Sequence, residues 1–484
     1  MTTIKLDPGA ALLLDALHGA GHAAYAVGGC VRDSLLGLDP HDWDLCTSAR
    51  PEQVMALFGE EKCIPTGLQH GTVTVKQGGR LYETTTFRTE GAYSDGRHPD
   101  AVCFVPDVRE DLARRDFTIN AMAYSAEEGL IDPFGGRDDL AAHLVRAVGE
   151  PERRFEEDAL RILRLYRFAA RFGFAIDPAT GAAARALGPH LDCVSAERIQ
   201  EELLKLLAAP RPGSYLEPAV LAVILPELEP EKQPEQFAEL CRTIDRIEPT
   251  AENVPARLAA LLCLLGEAGA RKALRKLKCS NALTDEVTAL EREAGGGAGS
   301  FLLGHEFELR HPADALCLER HSHPAGRCPN SNSLFPPQAA VVAVAGHSIA
   351  RPIACGNRVP PQRTVLGETP GTPNTTLTVQ AKRLLGRYEL PTIQRLTALC
   401  SARHPEQTGA FAALRAEAER LTAENACCRV SQLAVNGRDL MAAGVRPGPG
   451  LRQVLNALLE AVITGQTPNE KDALLAAAAQ FSAS

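Results

Sequence analysis

The sequence predicts an α+β protein of several domains, with a small mixed-sheet head followed by an all-helical neck, body and tail. Three observations carry this. The chain has 484 residues, enough for about three domains at roughly 150 residues each. Short β-like runs are confined to the part before Pro106, and from about Glu150 onward the apolar residues recur at helical spacing. With 45% apolar and 23% charged residues the composition is that of a folded globular chain, which excludes collagen, rods and wholesale disorder. A net charge of −9 excludes a generically basic nucleic-acid coat, so any RNA contact must use a local patch. No stretch reaches the ~18 consecutive apolar residues of a membrane span, and Lys5, Asp7 and Asp15 break the N-terminus. We therefore expect no membrane association. The fourteen cysteines are scattered, with no secretion signal before them, which reads as free thiols in a reducing cytoplasm.

Taken in order, Asp7-Pro8 starts a helix, the carboxylate capping and the proline filling the first helical position. Strands are expected at Ala24–Val27, Asp42–Cys46, Gly71–Val75, Leu81–Thr86 and Val102–Val105. Helices are expected over Glu157–Arg171 and over Ala196–Leu207, the latter capped by Ser195. The expected division is a head over 1–150, a neck over 151–210, a body over 211–303, an insertion over 304–376 and a tail over 377–484. Within the insertion, the 55 residues His321–Thr375 hold nine prolines, five glycines and a single acid, Glu368. That composition reads as disorder or as a sequence-level artefact. Cys317, His321, His323 and Cys328 have ligand chemistry, but their spacing is no standard zinc spacing.

The densest chemical signal is Val27-Gly28-Gly29-Cys30-Val31-Arg32-Asp33, followed by His41-Asp42-Trp43-Asp44-Leu45. A strand entering a glycine pair and then a helix brings backbone N–H groups and Arg32 to where a triphosphate can sit. In a strand, Asp42 and Asp44 project to one face while Trp43 and Leu45 face the core. Two like charges so close call for a cation, and two Mg²⁺ ions held there could activate a hydroxyl and stabilise leaving pyrophosphate. An isolated pair of this kind would read as two solvated acids; the glycine turn beside it favours metal.

This combination resembles class II CCA-adding tRNA nucleotidyltransferases and their bacterial poly(A) polymerase relatives. The resemblance covers Ala24–Glu202 and resumes at Val379–Ala478. It implies that Asp42 and Asp44 are catalytic Mg²⁺ ligands, with Glu83 the third acid nearby. It implies that Gly28, Gly29 and Arg32 hold nucleotide. Arg114-Arg115-Asp116-Phe117-Thr118-Ile119-Asn120-Ala121 is similar to the ribose-reading motif, with Arg115, Asp116 and Asn120 as its polar groups. Asp132-Pro133-Phe134-Gly135-Gly136 with Asp139 is similar to the link between head and neck. Glu157-Asp158-Ala159-Leu160-Arg161-Ile162-Leu163-Arg164, with Arg167 beyond, is similar to the family's nucleotide-selecting motif. On one helix face, spacings of three would place Asp158 beside Arg161 and Arg164. A carboxylate accepts the exocyclic amine of cytosine or adenine, and an arginine donates to the adjacent ring nitrogen. Uracil and guanine present a carbonyl there and are repelled, so selection needs no template. Arg164 and Arg167 would then serve phosphates. Ser195–Leu203 is similar to a helix bracing that motif, and Leu433–Leu440 with Asn469-Glu470-Lys471 to the tRNA-holding tail.

The expected activity is addition of CCA to the 3′ end of tRNA from CTP and ATP. A poly(A) polymerase, an A-adding-only relative and a non-catalytic RNA-binding protein are the alternatives. The loop between Arg88 and Pro106 resembles the flexible loop of A-adding enzymes, which speaks against poly(A) polymerase. The intact acidic pair speaks against a dead descendant.

Overall fold

A computed structural model describes residues 3–90, 102–295 and 375–481. The 304–376 insertion with its Cys/His quartet, save its last two residues, and the centre of the Arg88–Pro106 loop lie outside the described residues.

The first helix, α1 (Pro8–Gly19), starts as expected, with the Asp7 carboxylate accepting from Gly9 N at 2.9 Å and Ala10 N at 3.3 Å. It covers one face of a seven-stranded sheet. The strands are β1 (Ala24–Val27), β2 (Leu45–Thr47), β3 (Cys63–Gly67), β4 (Thr72–Gln77) and β5 (Arg80–Thr86), then β8 (Ala123–Ser125) and β9 (Gly129–Ile131). A separate hairpin pairs β6 (Arg88–Glu90) with β7 (Val102–Phe104). The sheet order is β3-β4-β5-β2-β1-β8-β9, with β2 and β5 parallel and the other neighbours antiparallel. Strand β1 lies inside the sheet, between β2 and β8, and is buried on both faces. Ala24, Ala26 and Leu45 pack toward α1, whereas Tyr25, Val27 and Cys46 join Phe87, Val108 and Leu112 on the other face. This alternation follows from the two-residue side-chain period of a strand.

Helices α2 (Gly29–Leu35), α3 (Pro51–Phe58), α4 (Val108–Ala113) and α5 (Gly136–Ala141) complete the head. Beyond it come α6 (Pro151–Glu157), α7 (Leu160–Phe172), α8 (Pro178–Ala186) and α9 (Ala196–Leu207); a short parallel pair joins Leu144–Val145 to Ala175–Ile176, and after α9 the described elements are helical. One apolar core runs from Ile4 in the head to Cys428, and a second, smaller core gathers Val435, Leu440, Val454, Leu458 and Leu474. Helix Leu390–Arg403 packs on helix Asn281–Ala294, where Arg403 meets the buried Glu291 at 2.6 Å. Among the described residues no helix is long and apolar enough to cross a membrane.

Three local expectations are corrected. The strand expected over Asp42–Cys46 begins only at Leu45. The continuous helix expected over Glu157–Arg171 breaks after Glu157, because Asp158 adopts extended backbone (φ −148°, ψ 102°) and α7 starts at Leu160. Ser195 stands at the start of α9, but its side chain makes no capping hydrogen bond.

Candidate active site

The site is built around the turn between β1 and α2. Gly28 has φ +77°, a backbone conformation that favours glycine, and a Cβ there would press on Arg115 Nη1 at 2.8 Å. Gly28 N donates to Met122 O at 3.0 Å, which ties the turn to the chain leading into β8. Gly29 is more open, its nearest neighbour being Arg32 Nη2.

Asp42 and Asp44 are exposed while Trp43 and Leu45 are buried, so the expected alternation holds even though the strand starts three residues later than expected. Asp44 O accepts from Val27 N at 2.9 Å, which anchors the segment against β1. Because Leu45 faces Thr84 across the parallel β2–β5 pair, Asp44 and Glu83 stand one step back along neighbouring strands. Their proximity shows in the acidity of Asp44. Partial burial first, and then the Glu83 and Asp42 charges, push its carboxyl up to about 6, against the opposing pull of Arg115. No described cation forms an ion pair with Asp42, Asp44 or Glu83.

Behind the turn lies a continuous charged network. Arg32, almost fully buried, donates from Nη1 to Asn120 Oδ1 and from Nε to Asp33 Oδ1 at 2.8 Å. Asn120 Nδ2 donates to Asp116 Oδ1 at 3.0 Å, and Arg164 Nε donates to Asp116 Oδ2 at 2.9 Å. Arg167 Nε donates to Glu202 Oε2 at 2.6 Å. Burial opposes the charge on Asp116, but Arg164 and the Asn120 amide outweigh it and hold the carboxyl well below the usual range. Asp116 and Asn120 therefore do not present the free polar groups expected of a ribose reader. They are engaged with Arg32 and Arg164.

The expected Asp158–Arg161 pair is not formed. The helix break takes Asp158 off the face of α7, and its Oδ2 accepts from Arg198 Nη2 at 2.8 Å. Arg161 turns inward and donates to Arg154 O at 3.1 Å, Glu157 Oε2 at 2.8 Å and Arg114 O at 3.0 Å. Sequence reading treated Arg198 as part of a bracing helix and missed it as the cation facing Asp158. The spacing of forty residues between them carries no periodic signal.

The other motifs make hydrogen bonds among the described residues. Asp132 accepts from Gly136 N at 2.7 Å and Arg137 N at 2.9 Å, and Asp139 accepts from Thr118 Oγ1 at 2.6 Å, tying the link to the Arg115–Asn120 segment. The two tail motifs fold on each other, with Lys471 Nζ 2.6 Å from Asp439 and Ala434 N donating to Asn469 at 2.9 Å.

The Poly A polymerase head domain family matches residues 24–146, the family described as a probable RNA- and SrmB-binding site of polymerase A matches 173–232, and the putative tRNA nucleotidyltransferase domain 2 family matches 391–478. The CCA-adding enzyme of Limosilactobacillus fermentum is 34% identical over 478 residues, covering 97% of this chain and 96% of that one. The chain belongs to the CCA-adding enzyme family. The Leuconostoc citreum CCA-adding enzyme is 45% identical over 257 residues, which are 53% of this chain and 63% of that protein. Among solved structures, the Bacillus stearothermophilus CCA-adding enzyme in complex with CTP superposes with a TM-score of 0.71 at 29% identity, covering 98% of both chains.

Membership of this nucleotidyltransferase family implies dependence on a divalent metal. Among the described residues no three His, Cys, Asp or Glu side chains gather into a ready-made cage. The residues present still suit a hard cation that takes one or two carboxylates and completes its shell with water and substrate phosphates. Asp42 and Asp44 are exposed, lack ion-pair partners among the described residues, and share a negative field with Glu83.

Proposed function

We propose that this CCA-adding family member extends the 3′ end of tRNA with C, C and A from CTP and ATP, releasing pyrophosphate at each step. The carrying observation is the exposed Asp42–Asp44 pair beside Glu83, next to the Gly28–Gly29 turn. Asp42 and Asp44 are the residues that would hold Mg²⁺, with Glu83 supplying further negative field. Bound there, the cation would acidify the attacking 3′-hydroxyl and neutralise charge on the α-phosphate and leaving pyrophosphate. The glycine turn leaves room for phosphates at Gly29, and Arg32, Arg115, Arg164 and Arg167 offer cationic N–H donors around them. Asp116 and Asn120 orient Arg32 and Arg164 and so act on phosphate and ribose through them.

Base choice is assigned to Asp158, whose acceptor-only carboxylate suits the amines of cytosine and adenine and repels the carbonyls of uracil and guanine. Arg198 steadies that carboxylate. Arg161 reaches a base only by giving up one of its present acceptors, Arg154 O, Glu157 or Arg114 O. The enzyme is placed in the cytoplasm, where the eleven free cysteines among the described residues remain reduced.

The test is incubation with tRNA lacking its 3′ CCA, each nucleoside triphosphate alone and in pairs, with products sized at nucleotide resolution. CTP alone should add two residues, CTP with ATP three, and UTP or GTP none. A long tail from ATP alone would mark a poly(A) polymerase. Addition of A only, to tRNA already ending in CC, would mark an A-adding relative. Binding of tRNA without extension would mark a non-catalytic protein.

A further inference from the structure

Four guanidinium groups gather on two phenylalanine rings of α7. The Arg167 Cζ stands 4.0 Å from the Phe168 ring centroid, Arg32 5.3 Å and Arg164 5.4 Å. Arg32 and Arg171 stand 4.8 and 5.1 Å from the Phe172 centroid. The two rings are parallel, with centroids 6.2 Å apart, and the edge of Phe117 meets Phe168 at 5.8 Å. Phe168 is 5% exposed, so it cannot swing away from this position without vacating the core.

The ion pairs alone do not explain this arrangement. Asp33 holds Arg32 and Arg171, Asp116 holds Arg164, and Glu202 holds Arg167, which leaves four cations against three carboxylates. Like charges at these separations repel. A fourth carboxylate would quiet the repulsion, but it would use up N–H donors and repel an incoming phosphate. An aromatic face attracts the cations through its quadrupole and leaves their N–H edges free to donate.

We propose that Phe168, with Phe172 stacked on it, is a positioning residue that fixes Arg32, Arg164 and Arg167 for the triphosphate of the incoming nucleotide. The proposal rests on the reading of those arginines as phosphate ligands given above. Phosphate is common to CTP and ATP, so Phe168 governs affinity for both equally and leaves base choice to Asp158.

The experiment compares the parent with Phe168→Met, which keeps apolar bulk but removes the ring, and Phe168→Tyr, which keeps it. The readouts are binding of inorganic tripolyphosphate and the separate KM and kcat values for CTP and ATP. Phe168→Met should weaken tripolyphosphate binding and raise both KM values by about tenfold, with kcat changed less than about threefold. Phe168→Tyr should stay near the parent. Unchanged KM in Phe168→Met, equal losses in both variants, or a fall confined to kcat would overturn the proposal. If Phe168→Met fails to fold, Phe172→Met at the half-buried ring should raise both KM values about threefold, and unchanged values there would overturn it. A parent enzyme that extends tRNA but does not bind tripolyphosphate would instead overturn the phosphate-binding reading of the arginines and this proposal with it.

Discussion

Arg198 Nη2 lies 2.8 Å from Asp158 Oδ2, across forty residues of sequence, while Arg161, three residues from Asp158, points into the core. The half-buried Asp158 carboxylate is therefore oriented by a guanidinium from α9 and by Leu160 N, which donates to its Oδ1 at 3.1 Å. Replacing Asp158 by Asn keeps shape but adds an N–H₂ donor, which suits the O4 of uracil and the O6 of guanine. Asp158→Asn should shift the ratio of CTP to UTP incorporation toward UTP by about tenfold or more, measured as the ratio of kcat/KM values. An unchanged ratio would move base reading elsewhere.

The metal site yields a sharper expectation. Asp42→Ala removes an exposed carboxylate that no described residue pairs with, so folding should be spared. Addition of C and of A should both fall by about a thousandfold or more at saturating Mg²⁺, while tRNA binding, measured by filter retention, stays within about twofold. Appreciable turnover at high Mg²⁺ would refute the assignment.

Asp116 links protonation to stability with a definite sign. Its carboxyl is held well below the range it has in the unfolded chain, so the native state favours the charged form. The stabilisation is present above the unfolded value near pH 4 and is lost as pH falls below it. Asp116→Asn should lower Tm by a similar amount at every pH from 8 down to about 5, and the gap should close below about pH 4. A gap that widens on acidification would contradict the ion pair with Arg164.

Arg257 is fully buried and forms no ion pair among the described residues, although the Asp245 charge favours its charged form. Its guanidinium donates to Leu207 O at 2.7 Å, Ala209 O at 2.5 Å and Ile247 O at 2.5 Å, closing the C-terminal end of α9 against the body. Arg257→Met fills the space but strands these carbonyls, at about 1–3 kcal/mol for each buried unsatisfied group. Tm should fall by several degrees or more, and the remaining activity of the folded fraction should be unaltered in its nucleotide preference.

Much of the fold was legible because local physics decides it. Asp7-Pro8 supplies a capping carboxylate and a proline at the first helical position, and α1 begins there. β1 and α9 match their expected bounds because their patterns are bounded by glycines on one side and a capping serine position on the other. The break at Asp158 was not legible. Helical spacing from Glu157 to Arg171 is unbroken in sequence, whereas in the structure residue 158 is extended and its carboxylate accepts from both Arg198 Nη2 and Leu160 N. Similarly, the ladder begins at Leu45, which pairs with Ala26 of β1 and Thr84 of β5, and Asp42 and Asp44 stand before it.

What the sequence by itself determined was a mixed-sheet head before helices, a glycine turn beside two acids, and an arginine-rich neck. Each is set by neighbours within a few residues, through spacing, capping and side-chain period. Which distant polar and charged groups meet was decided by the tertiary structure. Arg32 with Asn120, Arg164 with Asp116, Arg167 with Glu202 and Arg198 with Asp158 are separated by 88, 48, 35 and 40 residues. A charged side chain accepts any opposite partner that packing brings within reach, so its identity predicts that it will be paired but not with which residue.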